Sequence, residues 1–106
     1  MACLLDTKHR PKAIHRCALG SIDSVPVEPR SVFTAALLTN AAAVIVAHNH
    51  PSGDPEPSPQ DILLTHRLVQ CGGSLSIRVL DHLVIGAGCW SSMRALYPAC
   101  WEGERA

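Results

Sequence analysis

The segment that most constrains this chain is residues 42–47, Ala-Ala-Val-Ile-Val-Ala, followed at once by His48-Asn49-His50. A short run of small and β-branched apolar residues with no polar face reads as a buried central strand. The next stretch is stiff and polar: residues 48–57 hold Pro51, Pro55, Pro57, Gly53 and Asp54, and read as a loop. Ser58-Pro59-Gln60-Asp61 then opens a helix. Serine is a good N-cap, proline suits the first helical position because its missing N–H is not needed there, and an acid favours the first turn. Ile62, Leu64, Thr65, Leu68 and Val69 supply the inner face of that helix, and Gly72-Gly73 is expected to end it.

Around this unit the chain reads as alternating strands and helices. Residues 2–6 look like the end of a buried strand, 7–11 a turn, and 12–19 a second strand, so the pair forms a hairpin. Residues 20–29 are rich in loop formers. From Pro29 to Leu38 a helix is expected, with proline in its first turn, Val32, Phe33, Ala36 and Leu37 on one face, and Asn40 as its stop. Residues 75–86 contain Ile77, Val79, Leu80, Leu83, Val84 and Ile85, enough for one or two strands. Ser91 or Ser92 caps a last short helix through Leu96, and a frayed tail is expected from Pro98 onward. With 106 residues and no internal repeat, this is one small α/β domain.

Composition narrows the function classes. Nine basic residues balance nine acidic ones, which gives no support to strong nonspecific attraction to DNA. Arg10, Lys12, Arg16 and Arg30 cluster in the first third, and read as a solvated face. Zero net charge also removes the repulsion that keeps copies apart, so a homodimer is an open expectation. No stretch reaches the ~18 apolar residues of a membrane helix. The N-terminus lacks the pattern of a signal peptide, and the five cysteines show no C-x-x-C pair, so reduced thiols and a cytoplasmic location are expected.

The chemistry sits between the central strand and the helix after it. At the end of an extended strand, residues two apart point to the same side, so His48 and His50 can hold one metal ion together. Asp61 lies eleven residues after His50, and a strand–loop–helix return can bring its carboxylate back to the strand end. Two nitrogens and one oxygen leave a tetrahedral zinc one position for water, the arrangement of a catalytic site. Each residue also has a plainer explanation. Histidine at a strand end is ordinary polar surface, Ser58-x-x-Asp61 is a helix start, and Pro51, Gly53, Pro55 and Pro57 make a stiff loop.

His48-x-His50-Pro51, with Ser58-x-x-Asp61 at the matching distance, resembles the metal motif of the JAB/MPN metalloproteins. The fuller strings are closer still to the RadC-type branch of that family. They are His48-Asn49-His50-Pro51-Ser52-Gly53, Pro57-Ser58-Pro59-Gln60-Asp61-Ile62, Leu4-Leu5-Asp6-Thr7-Lys8, Arg30-Ser31-Val32-Phe33 and Asp81-His82-Leu83-Val84-Ile85-Gly86. The resemblance implies a cytidine-deaminase-like α/β sandwich, a mixed sheet flanked by helices. It implies one zinc per chain on His48, His50 and Asp61, and Ser58 supporting the oxyanion of a tetrahedral intermediate. The reaction implied is zinc-assisted cleavage of an amide or isopeptide bond in a peptide or protein substrate. His82 is a candidate partner orienting a ligand histidine.

The family pattern also places a general-base glutamate a few residues before Leu4-Leu5-Asp6-Thr7-Lys8. Positions 1–5 contain no acid, and Glu28, Glu56, Glu102 and Glu104 do not match it. The expected organisation is therefore a JAB/MPN domain over residues 1–97 lacking part of its first strand, then a frayed tail over 98–106. A base of this kind contributes ~10²–10⁴-fold in rate, so an inactive form is one expectation. The function classes left open are a zinc-dependent metallopeptidase, a noncatalytic zinc-binding module in DNA repair or recombination, the process with which the family is associated, and a remnant without function.

Overall fold

In the computed structural model the described residues are 1–15, 28–50 and 53–102. Ala2–Leu5 (β1) and Pro11–His15 (β2) pair antiparallel as the expected hairpin. The Asp6 carboxylate builds the turn: Oδ1 accepts from the backbone N–H of Lys8 and of Arg10, each at 2.9 Å. A side chain that mimics backbone pairing in this way is why Asp favours turns. Residues 16–19 of the expected second strand and 20–27 of the expected loop lie outside the described residues, as do 51–52 and 103–106.

Pro29–Leu38 (α1) runs as expected and buries Val32, Phe33 and Ala36. Leu37, which helical spacing adds to that face, is exposed instead. The chain leaves the helix through Asn40 in the left-handed conformation, a geometry asparagine tolerates. Ala43–Asn49 (β3) is the central strand, with β1 antiparallel on one side. Pro59–Leu75 (α2) then crosses over to Arg78–Ile85 (β4), which pairs parallel with β3 on its other side. Trp90–Ser92 (β5) closes the sheet, and Met93–Leu96 (α3) comes next, capped by the Ser92 hydroxyl. Among the described residues the result is a mixed five-stranded sheet in the order β2-β1-β3-β4-β5, with three α-helices, an α/β fold consistent with a JAB/MPN domain.

The second helix is longer than Gly72-Gly73 predicts. It continues to Leu75 and ends through Ser76 at φ 58°. Gly72 serves packing rather than termination: a Cβ there would lie 2.3 Å from the Ile77 carbonyl oxygen, where the chain turns back into β4.

One continuous apolar cluster joins the elements. It includes Leu4 of β1, Val32 and Phe33 of α1, Val44 and Val46 of β3, Leu64 and Leu68 of α2, Val79 and Val84 of β4, and Met93 of α3. The residues alternating with them, Cys3, Ile45, Ala47 and Leu83, are only half-buried, so the sheet carries its main core on one face. Among the described residues no helix is long and apolar enough to cross a membrane.

β4 carries a bulge. Val44 pairs with Val79, but the next residue, Ile45, pairs with Asp81, so Leu80 is an extra residue. The parity of the strand changes there: Val79 is buried before the bulge, His82 and Val84 after it. Two carbonyls at the bulge find donors in the C-terminal segment. Trp101 Nε1–H donates to Val79 O at 2.7 Å and Arg94 Nη1–H donates to Leu80 O at 3.1 Å.

The frayed tail expected from Pro98 is therefore corrected for its first part. Pro98–Trp101 forms a 3-10 helix that buries Cys100 and Trp101, and the Arg94 guanidinium lies 5.4 Å from the Trp101 ring centre. A large aromatic ring with one polar atom gains by burial once its N–H has an acceptor.

Leu68→Ala is expected to cost about 2–5 kcal/mol, because that side chain is fully buried in the cluster. Leu63→Ala, on the exposed face of α2, should shift stability by less than about 0.5 kcal/mol. Urea denaturation midpoints of the two variants check the assignment of faces.

Candidate metal centre

The alternation of β3 carries a histidine to the end of an apolar row. Val44, Val46 and His48 share the buried face, and His48 is 6 % exposed. The strand runs two residues beyond the expected 42–47, which places His48 inside the sheet, paired with Val84. His50 continues the same direction, its N–H donating to Ile85 O at 2.9 Å. The two imidazole ring centres are 5.2 Å apart.

The loop after His50 is pinned to the end of β4. Ala87 N–H donates to Gly53 O at 2.8 Å. A Cβ on Gly86 would lie 2.3 Å from that same carbonyl oxygen, so only glycine permits the approach. The loop in turn fixes His50: Asp54 O accepts from His50 Nδ1–H at 2.8 Å.

Asp61 is aimed by the start of α2. Ser58 Oγ accepts from Asp61 N–H at 3.2 Å, and Asp61 Oδ2 accepts from Ser58 N–H at 2.7 Å, a reciprocal capping box with Asp in the place of the usual Glu or Gln. The shorter side chain leaves its carboxylate turned to the strand ends. Its Oδ2 lies 2.7 Å from His50 Nε2 and its Oδ1 lies 3.1 Å from His48 Nε2. His48, His50 and Asp61 each offer a ligand atom, all within 4.8 Å of one another, close enough to bind one metal ion.

The donor set itself calls for a cation. A carbonyl only accepts, so Nδ1 of His50 must be the protonated nitrogen. The neutral ring then turns the lone pair of Nε2 toward a carboxylate oxygen 2.7 Å away. Two lone pairs at that distance repel unless a positive centre lies between them, and a proton or a metal ion meets the need. The residues fit a metal on this ground.

Comparison with known proteins gives the family. The chain matches the RadC-like JAB domain over residues 1–97. It belongs to that family. It is 55% identical over 93 residues to a UPF0758 protein of Alcanivorax borkumensis, covering 87% of this chain and 42% of that protein. A UPF0758 protein of Chloroflexus aggregans is 50% identical over 91 residues, covering 86% of this chain and 40% of its own length. One of Desulforudis audaxviator is 47% identical over 93 residues, covering 88% and 40%. The chain thus spans about two fifths of the length of these relatives.

In this RadC-like JAB domain, a second layer backs the three clustered residues. His82, buried through the parity change in β4, places Nε2 2.8 Å from His48 Nδ1. Its Nδ1 lies 2.6 Å from Thr65 Oγ1, and the Thr65 hydroxyl donates to Asp61 O at 2.7 Å. Among the described residues no buried side-chain polar atom lacks a partner. Sequence reasoning named His82 but placed Thr65 only on the inner face of α2. A threonine inside an apolar face, one turn after an acid, is the signal that it needs a polar partner. Ser58 sits beside the cluster as the N-cap. Among the described residues no fourth His, Cys, Asp or Glu joins the three, so Glu28, Glu56 and Glu102 stand apart from it.

Burial pushes the imidazole of His48 below its ordinary range; the nearby Asp61 opposes this and His50 adds to it. Burial, with His48 beside it, pushes His82 down to about 4. For Asp61 burial works to raise the carboxyl, but the Ser58 backbone N–H, His48 and the His50 hydrogen bond outweigh it, and the group ends below its usual value.

Two outcomes are expected. Gly86→Ala should cost about 1–3 kcal/mol by forcing the Gly53 carbonyl away. Gly73→Ala, with nothing within 4 Å, should be neutral or gain up to about 1 kcal/mol of helix propensity. Chemical denaturation distinguishes them. In the metal-free protein, an unfolded histidine titrates near 6.5 and His82 near 4. Between these values the unfolded chain binds more protons, so stability falls as pH drops through that window, by up to about 1.4 kcal/mol per pH unit for His82. Asp61, held below 3.8, adds its own loss only at still lower pH. Thermal melts of chelated protein across this range check the sign.

Proposed function

We propose that this chain carries the metal centre of a zinc-dependent hydrolase acting on a peptide or isopeptide bond. The observation that carries the proposal is the donor arrangement at His50. With Nδ1–H committed to Asp54 O, the Nε2 lone pair and the Asp61 carboxylate converge on one point that His48 also faces. In this proposal His48, His50 and Asp61 hold one zinc per chain. Two nitrogens and one carboxylate oxygen suit zinc better than the all-oxygen sites of magnesium or calcium. A zinc ion bound there would supply Lewis-acid chemistry, polarising a carbonyl and lowering the pKa of a water to ~7.

The protein's own groups would do the rest. Asp61 stays ionised because the Ser58 N–H and the neighbouring histidines favour its charge. His50 is held in one tautomer by the loop carbonyl. The Ser58 oxygen accepts from the helix N-terminus, which leaves its own hydroxyl proton to donate to the developing oxyanion of a substrate. The described residues bring no further carboxylate into the cluster. Hydrolysis by these residues alone would therefore lack the ~10²–10⁴-fold that a positioned base contributes.

Elemental analysis of the purified chain is expected to find close to one zinc per molecule, lost in His48→Ala and in His50→Ala while the fold is kept. Any peptide hydrolysis should stop on chelation and return with zinc. A well-folded wild-type chain that takes up no metal would sink the proposal.

A further inference from the structure

Thr65 has one hydroxyl proton, and its place decides the protonation of two histidines. The hydroxyl donates to the backbone carbonyl of Asp61 at 2.7 Å. Its oxygen also lies 2.6 Å from Nδ1 of His82. Having given its proton to the carbonyl, the oxygen can only accept there, so His82 Nδ1 carries the hydrogen. A neutral imidazole has one N–H, which leaves His82 Nε2 as a bare acceptor. That atom is 2.8 Å from Nδ1 of His48, which must donate to it. The remaining nitrogen of His48, Nε2, then keeps its lone pair, 3.1 Å from Asp61 Oδ1.

We propose that Thr65 and His82 are positioning residues that lock His48 in the Nδ1–H tautomer, so that Nε2 faces the cluster of His50 and Asp61 as a lone-pair donor. The significance of that lone pair rests on the metal-centre reading above; the tautomer itself does not. The opposite polarity would run Thr65 to His82 to His48 and put a proton on the one nitrogen of His48 that faces the site. That polarity would let His48 Nε2–H donate to Asp61 Oδ1, 3.1 Å away, and relieve the lone-pair contact in the metal-free protein; against it stands the Asp61 carbonyl, which takes the Thr65 proton and has none to return. The relay starts and ends on one residue. Its backbone oxygen terminates the hydrogen-bond chain, and its carboxylate meets the nitrogen that the chain leaves unprotonated. β3, β4 and α2 each contribute one imidazole or hydroxyl, all of them buried, so solvent does not scramble the polarity.

The test is nitrogen NMR of the histidine rings in metal-free wild-type protein, with His48 identified by loss of its signals in His48→Ala. The expected result is a protonated Nδ1 and an unprotonated Nε2 for His48, and the same tautomer for His82. Thr65→Val keeps the volume but removes the acceptor for His82. It should invert both tautomers and weaken zinc binding by ~10–100-fold, the usual effect of losing such support. Thr65→Ser restores the hydroxyl and should bind zinc within about threefold of wild type while keeping the wild-type ring signals. His48 protonated on Nε2 in the metal-free wild type would overturn the proposal, and this measurement needs no variant to fold. So would Thr65→Val with unchanged ring signals. A wild type that shows the expected tautomers but takes up no zinc supports the positioning role and rejects the metal-centre reading instead. Zinc uptake with the wrong tautomer does the reverse.

Discussion

The parallel pairing of β3 with β4 is the constraint on which the rest depends. Two parallel neighbours cannot be joined by a tight turn; the chain must cross the sheet and come back, and here α2 makes the crossing. The crossing has to begin where β3 ends. The first turn of α2 therefore lies beside the carboxyl end of β3, the place where ligands gather in sheets of this kind. His48 ends the buried row of the strand, His50 lies just beyond its last residue and Asp61 is in the first turn of the helix, so topology brings them together before any side chain chooses a rotamer.

Small local devices then set the aim. The capping box uses the Asp61 carboxylate to satisfy the helix start, and the same group is left facing both imidazoles. The loop between them is drawn onto β4 by Gly86 and Ala87, which puts the Asp54 carbonyl under His50. The structural role of Ser58 and Asp61 as a helix cap does not compete with the proposed chemical one. The cap holds the carboxylate still, and a carboxylate held still makes the better ligand.

The bulge in β4 has the longest reach. Without Leu80 as an extra residue, the alternation begun by Val79 would turn Asp81 to the core and His82 away from it. With it, His82 joins the buried face beside His48, while Asp81 takes the Ser92 hydroxyl and the Arg94 N–H at the start of α3. The carbonyls at the bulge are paired by Trp101 and Arg94, so the C-terminal segment supports a feature that matters at the far side of the strand. A small domain tolerates a buried polar cluster of this size only because each member is partnered; a single lost partner leaves a desolvated group that costs more than a surface hydrogen bond returns.

The sequence alone determined those features that depend on residues within a turn or two of one another. Pro29 started a helix, Ser58-Pro59-Gln60-Asp61 started another, residues 42–47 read as a buried strand, and the two-residue spacing of His48 and His50 put both on one side. The candidate ligands were legible for the same reason, since strand alternation and a helix cap are local rules. Tertiary structure decided the rest. Gly72 meets Ile77 instead of ending α2, Leu37 stays exposed, Trp101 is drawn into the core, and Thr65 becomes a hydrogen-bond partner. The bulge that buries His82 belongs with these, because the register of a strand is set by its neighbours and not by its own pattern. Each depends on groups distant in sequence, and local propensity carries no information about which distant group will be there to accept a proton, fill a gap or cover a ring.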